Sequence, residues 1–420
     1  MKKILFLLLA TLALAACSGT AENGQNVYGF ILADLPANDP ATALPSGGTV
    51  DLALQWGESW TATCSQDWLS VSQDKGDPGN WTLQLTTAPN ESPLSREAVL
   101  TIASDSESRQ IKVVQHANIY QRTFLCSKKV KWSFSWIYSG GMSRSLLFMP
   151  YPQTGLYQGI RDRSTGNAVL KTSPEGVSYL VDDRSTAGSF PSSGSPFISQ
   201  SFTVDYYDVR VDFSLIEDAE APYDQTSHIY KRYTTQVIDE NEIMIDPFNT
   251  TIRKTAQTLW EQAGGKRIEY ARLCHRWIID NISYAIFEDH NSISDILNRM
   301  KGDCGNQHAV WISLLRAKGI PARPIVMKAP DPDGYSHVRG EFYIPGYGWI
   351  PVDPTNEQGT HEDYFGAFKY EPLVVMNYDF GITGKDSKNK SYILGLLQGM
   401  AVFVWGGGTY DGSETFQFID

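Results

Sequence analysis

"KGDCGNQHAVWISLLRAKGIPARP", residues 301–324, sets a cysteine between a glycine break and a run with helical spacing. Gly302 interrupts the preceding "SISDILNRM", and the new run extends from Cys304 to about Lys318, with Gly319 as its stop and Pro321 beyond. Cys304 therefore falls in the first turn of an amphipathic helix. Unpaired backbone N–H groups there favour negative charge, and the thiolate is the reactive form of a cysteine. Asp303 beside it works the other way. A nucleophilic cysteine also needs a base, and the base needs an orienting group.

The sequence has seven histidines from which that base can come. His308 lies four residues along the same helix, where side chains lean back toward the N-terminus, so it is expected to pack or hydrogen-bond beneath the site. His337 is the better candidate. It opens "HVRGEFYI", which meets "YGWIPVDPT" across a Pro345-Gly346 turn. A hairpin centred on residue 345 pairs His337 with Asp353 on one face, with Cβ atoms about 5 Å apart. "LCHRW" offers a rival pair, but neighbouring residues on a helix point about 100° apart. Cys274 and His275 thus read as packing and surface. His228, His290 and His361 read as loop or surface residues. No HExxH is present, and "DPDGYS" reads as a turn, so metal-dependent hydrolysis is disfavoured.

"KGDCGNQHAVWISLLRAKGIPAR", His337 and "GWIPVDPT", in this order, resemble the transglutaminase-like superfamily over roughly residues 246–370. The resemblance implies a papain-like α+β fold, with Cys304 as nucleophile, His337 as base and Asp353 as its orienter. It further implies an amide substrate in a peptide or protein and a thioester intermediate, which water or an amine then resolves. No cofactor is called for, and no acidic cluster supports calcium dependence. One departure stands out: relatives often carry an aromatic residue two positions after the histidine, where this chain has Arg339. A non-catalytic surface protein using the same scaffold for recognition is the alternative.

Upstream the texture changes. Between residues 47 and 117, "TVDLALQW", "WTATC", "WLSVSQ", "WTLQLTT", "EAVLTIAS" and "QIKVVQ" alternate apolar and polar residues, with turn-forming clusters between them. Short strands so spaced make a β-sandwich. Gly47-Gly48, Trp68-Leu69-Ser70-Val71, Asn90, Arg96 with "AVLTI", and Gln115 resemble the BACON domain, an immunoglobulin-like module of gut Bacteroidetes proteins. Trp68 is expected in the core. Trp56, Trp60 and Trp81 are left as core or as stacking faces for a glycan, and a spacer holding the rest off the membrane is the other role for this unit.

The chain opens "MKKILFLLLATLALAACSGT", two lysines and an apolar run too short to span a bilayer, ending in "LAAC". This resembles a bacterial lipobox, with Cys17 as the lipidated residue and lipid as the membrane anchor, expected at the outer membrane on either its periplasmic or its surface-exposed face. Four cysteines follow it: Cys64, Cys126, Cys274 and Cys304. The net charge of −12, without a Lys/Arg cluster, argues against a nucleic-acid partner.

The expected organisation is multidomain: residues 1–17 signal and lipobox, 18–24 tether, 25–117 immunoglobulin-like β-sandwich, 118–245 a β-rich region, and 246–420 the α+β transglutaminase-like domain. From the place of Cys304 at a helix start follows a first test. Iodoacetamide at neutral pH should modify Cys304 faster than Cys64, Cys126 or Cys274, read by peptide mass spectrometry; equal, slow modification of all four contradicts an activated thiol.

Overall fold

Period-two alternation builds the first unit. A computed structural model of the chain describes residues 29–31, 41–185, 190–239, 242–287, 292–331 and 334–419. Cys17 and the tether lie outside the described residues. Nine strands come first: β1 (Gly29–Ile31), β2 (Ala41–Ala43), β3 (Gly48–Trp56), β4 (Trp60–Cys64), β5 (Leu69–Val71), β6 (Lys75–Gly76), β7 (Gly79–Thr87), β8 (Arg96–Ala103) and β9 (Ser108–Gln115). They form two sheets, ordered β1-β3-β7-β5 and β2-β9-β8-β4-β6. Leu52, Leu54, Leu83 and Leu85 from one sheet share a core with Ala62, Leu100, Ile102 and Val113 from the other. Each such large aliphatic side chain contributes about 1.5–3 kcal/mol by leaving water.

Two of the tryptophans left open, Trp56 and Trp60, are buried in this core. Trp81 meets Trp60 edge-on, with ring centroids 5.8 Å apart. Trp68 differs from expectation. Leu69 takes the inward position, and alternation turns Trp68 to the core's margin, half-buried beneath the Arg96 guanidinium at 4.6 Å. The polar residues of the BACON-like pattern tie the sheet ends together: Arg96 donates to Gln115 at 2.7 Å, and Asn90 donates to the carbonyls of Leu94 and His116.

The middle region is a layer rather than a separate body. Its strands are β10 (Tyr120–Pro150), β11 (Gln158–Ser164), β12 (Val169–Thr172), β13 (Ser178–Arg184) and β14 (Pro196–Val211). "KWSFSWIY" and "SLLFMP" both belong to the single long ribbon β10. There follow α1 (His228–Tyr233), β15 (Val237–Asp239), β16 (Glu242–Ile245), α2 (Thr250–Gln262), α3 (Arg267–Asn281), β17 (Ser283–Tyr284), α4 (Ile293–Arg299), β18 (Lys301–Gly302), α5 (Cys304–Arg316), β19 (Ala322–Lys328), β20 (Ser336–Ile344), β21 (Gly348–Val352) and α6 (Pro354–Thr360). Short strands β22 (Ala367–Phe368), β23 (Val374–Asn377), β24 (Thr383–Lys385) and β25 (Ser391–Ile393) lead to β26 (Ala401–Ile419).

The last strand returns to the middle region. β26 runs antiparallel to β10, with Lys129 opposite Ile419 and Phe148 opposite Ala401, so the C-terminus completes the middle sheet. Mutual strand pairing dictates this, because β10 otherwise presents a long unpaired edge. One hydrophobic core also runs from Ala117, Tyr120 and Val209 through α2, α3 and α5 to Phe380.

Helix α5 is the axis of the C-terminal unit. It is not amphipathic as its spacing suggested: every residue from Asn306 to Arg316 is buried. A helix buried all round needs internal partners for its polar side chains. Ser313 donates to Ala309 O at 2.7 Å, Gln307 to Ile282 O at 2.9 Å, and Arg316 to the carbonyls of Ala322 and Thr235. Beside it stands a four-stranded antiparallel sheet, β21-β20-β19-β23. Gly340 on β20 permits the close approach, since a Cβ there would lie 2.9 Å from Trp311 and 3.0 Å from His308.

The sandwich touches this sheet. Ser95 donates from its backbone N–H (2.6 Å) and its hydroxyl (2.9 Å) to Gly346 O, at the turn joining β20 and β21. Buried Tyr120 shares its hydroxyl proton between Tyr347 O at 3.1 Å and Trp349 O at 3.0 Å. Tyr120→Phe should lower the unfolding free energy of the full chain by about 1–3 kcal/mol in urea titration, because buried carbonyls lose their donor. An unchanged midpoint would contradict a role for this contact.

Candidate active site

Asp303 begins the site by ending the turn before α5. Its carboxylate accepts from Asn306 N at 2.9 Å, and Asn306 Oδ1 accepts from Asp303 N at 3.3 Å, a reciprocal capping box. Such a cap contributes about 0.5–2 kcal/mol and occupies the charge that lay beside the thiol in the sequence. Gly302 is required by the same contact: a Cβ there would sit 2.5 Å from Asn306 Cβ. Cys304 thus takes the first helical position, half-buried, at the end of the helix carrying free N–H groups.

The hairpin brings His337 and Asp353 together by a route that differs from the expected one. Gly340 pairs with Val352 and Ile344 with Gly348, so the hairpin is centred on residue 346 rather than 345. Continuing that ladder sets Asp353 opposite Arg339, not His337. The change moves the partner by two residues, and period two keeps all three on one face. Asp353 has already left the strand and caps α6: its carboxylate accepts from Asn356 N at 3.0 Å, with Pro354 in the first turn. Its other oxygen, Oδ2, accepts from His337 Nε2 at 2.9 Å.

Electrostatics follow from burial and pairing. Burial by itself pushes the His337 imidazole down, but the Asp353 charge, its hydrogen bond and the Cys304 thiol overcome this and raise it to about 10. Burial likewise pushes Asp353 up, yet His337 and Arg339 hold its carboxyl well below the usual range. With Nε2 engaged by Asp353, Nδ1 is the ring nitrogen left for Cys304.

His308 lies beneath, as its helix position implied. Its Nδ1 is 2.8 Å from Cys304 O, and because a carbonyl only accepts, Nδ1 carries the proton. Burial brings its pKa down to about 4, so the ring is neutral. It stiffens the first turn of α5. His275 is a correction: it is buried, not on the surface, with Nε2 2.9 Å from Glu357 Oε2. Cys274 is fully buried packing, as read. All four described cysteines are unpaired. His361 is exposed at the end of α6, and His290 lies outside the described residues.

Several neighbours carried no signal in the sequence. Arg339 is 1% exposed, with Nε 3.0 Å from Asp353 Oδ2 and Nη2 3.0 Å from Glu371 Oε1. Tyr335 donates to Glu371 at 3.1 Å, and Gln398 donates to His337 O at 3.1 Å. Glu371 and Gln398 belong to no recognisable motif; only the departure at Arg339 marked its position.

Three family models match parts of the chain. Residues 253–354 match the transglutaminase-like superfamily core, 58–116 the BACON family, described as a candidate N-terminal binding domain, and 1–18 the prokaryotic membrane lipoprotein lipid attachment site. An uncharacterised protein of Haemophilus influenzae is 28% identical over 114 residues, 20% of this chain and 31% of its own length, so the chain spans about a third of that relative. Among solved structures, a candidate cysteine protease from Cytophaga hutchinsonii is 17% identical, with TM-score 0.44, over 72% of this chain and 93% of its own. A candidate protease from Parabacteroides distasonis is 10% identical, with TM-score 0.23, over 79% of this chain and 70% of its own. Among the described residues, no helix is long and apolar enough to cross a membrane.

The pair makes stability depend on pH. The raised imidazole contributes fully below its unfolded value of about 6.5 and loses that contribution as pH rises through about 10. The depressed carboxyl contributes above its unfolded value of about 3.9 and loses it in acid. The stability gap between wild type and Asp353→Asn should therefore be widest between about pH 4 and 6.5 and narrow toward pH 10. Urea titrations across that range check it; a gap independent of pH contradicts the pairing.

Proposed function

We propose that this lipid-anchored, transglutaminase-like protein is a cysteine-nucleophile enzyme acting on amide bonds of peptides or proteins, with Cys304, His337 and Asp353 as its catalytic triad. The observation that carries this reading is the buried His337–Asp353 pair beside a half-buried thiol at the first turn of α5.

His337 Nδ1 takes the Cys304 thiol proton, the resulting thiolate attacks the amide carbon, and the carbonyl π pair moves to oxygen. The backbone N–H of Cys304 is a candidate donor to that oxyanion. Collapse of the tetrahedral adduct breaks the C–N bond, and His337 gives its proton to the leaving amine, which leaves a thioester on Cys304. Water or a second amine then attacks the thioester, His337 takes the proton from that nucleophile, and the departing thiolate recovers it to restore the starting state. Asp353 keeps the Nε2 proton of His337 in place, which fixes the tautomer with Nδ1 toward sulfur.

The N-terminal unit supports an immunoglobulin-like reading through its two facing sheets, and we place the anchor at the outer membrane. A second reading, glycan or protein recognition without catalysis, draws on one observation. A cleft of about 600 Å³ on the sandwich is lined by Gln73, Lys75, Asp77, Trp81, Ser104 and Asp105, a polar set beside an indole.

A panel of peptide, glutamine and cell-wall-peptide substrates, assayed with variants, separates the readings. Cys304→Ala and His337→Ala should each lower turnover on the order of 10³-fold or more, and the double variant should lose no more than either alone. Binding that persists in wild type and Cys304→Ala, with no product from any substrate, would leave recognition as the function.

A further inference from the structure

A permanent charge is fully buried next to the pair just described. The Arg339 guanidinium packs on Phe368 at 4.3 Å and donates from Nη1 to Lys369 O at 2.9 Å. Nη2 lies 3.0 Å from Glu371 Oε1. These contacts alone would make it a stitch between β20 and residues 369–371. A stitch of that kind has no need of the third contact: Nε lies 3.0 Å from Asp353 Oδ2, the oxygen that accepts from His337 Nε2 at 2.9 Å. Neither the Nε–H nor Nη2 is aligned for a hydrogen bond, so the contacts to Asp353 and Glu371 are ones of charge.

We propose that Arg339 is a positioning residue of the triad: it shares Asp353 Oδ2 with His337, keeps that carboxylate ionised and aimed, and, balanced by Glu371, sets the pH range over which the Cys304–His337 pair is reactive. The inference rests on the catalytic reading of Cys304 and His337.

The other charges facing this cluster are accounted for. His308 is neutral, with Nε2 4.0 Å from Asp353 Oδ1. Asp303 is held by the α5 cap. Glu371 also accepts from Asn356 and Tyr335. The Lys369 ammonium turns away to Glu362 at 2.7 Å, over the Tyr364 ring. Arg339 is thus a cation set between two carboxylates. Removing a fixed positive charge makes every nearby proton harder to lose, and removing a negative one makes it easier.

The test reads the rate of Cys304 alkylation by iodoacetamide from pH 4 to 10 in the full chain, with peptide mass spectrometry, so no substrate is required. Arg339→Gln should move the pH midpoints upward by about one unit. Arg339→Lys should return them toward wild type, because the charge remains although the hydrogen bond to Lys369 O is lost. Glu371→Gln should move them downward. Altered rates with unmoved midpoints in both Arg339→Gln and Glu371→Gln would show only a structural stitch and overturn the proposal. Where Arg339→Gln shows no cooperative thermal transition, the Glu371→Gln and Arg339→Lys profiles decide by the same criterion. A wild-type profile that His337→Ala leaves unchanged would instead overturn the catalytic reading itself, and the proposal with it.

Discussion

A buried carboxylate is tolerated only where donors surround it, and Asp353 meets them from three directions. Its oxygens accept from the first turn of α6 and from His337, and Arg339 stands at ion-pair distance. Each contact binds a different part of the C-terminal unit: the helix that follows, the strand that carries the imidazole, and through Glu371 the segment after β22. Leaving one such partner out would strand a buried charge, which costs about 3–5 kcal/mol. Placement of the imidazole and integrity of the hairpin are therefore one problem with one solution.

The thiol side of the site depends on a second constraint, the complete burial of α5. Its circumference is covered by α2, α3, α4 and the sheet, so the helix cannot rotate or slide to present another residue. The capping box then sets where the helix starts, and with it the position of Cys304. Beyond the sheet, Ser95 and Tyr120 hold the turn that joins the two strands of the hairpin. The N-terminal sandwich thus bears on the far end of the element that carries His337.

Local chemistry made much of this legible beforehand. Glycine break, helix start and stop located Cys304, and alternation identified the sandwich strands. The Pro345-Gly346 signal located the hairpin, but its register came out two residues in partner from the expected one, because turn type depends on backbone geometry that residue identity does not specify. Parity saved the inference: His337 and Asp353 stay on one face after a shift of two. What depends on distant partners stayed hidden. His275 looked like a surface residue because its partner, Glu357, lies on α6. The C-terminal strand looked like part of the transglutaminase-like unit because nothing in "AVFVWGGGTYDGSETFQFI" says that it pairs with β10. Arg339 was visible as a departure, yet its role needs Glu371, which no spacing rule connects to it.

The central claim is that Cys304 forms a thioester. It is tested most directly by mixing the protein with an activated amide or ester acyl donor, quenching in acid within the first turnovers, and measuring intact and peptide masses. The account predicts an acyl adduct on Cys304, released by hydroxylamine and absent from Cys304→Ala. Turnover that proceeds with no adduct on Cys304, or an adduct that persists in Cys304→Ala, would contradict it.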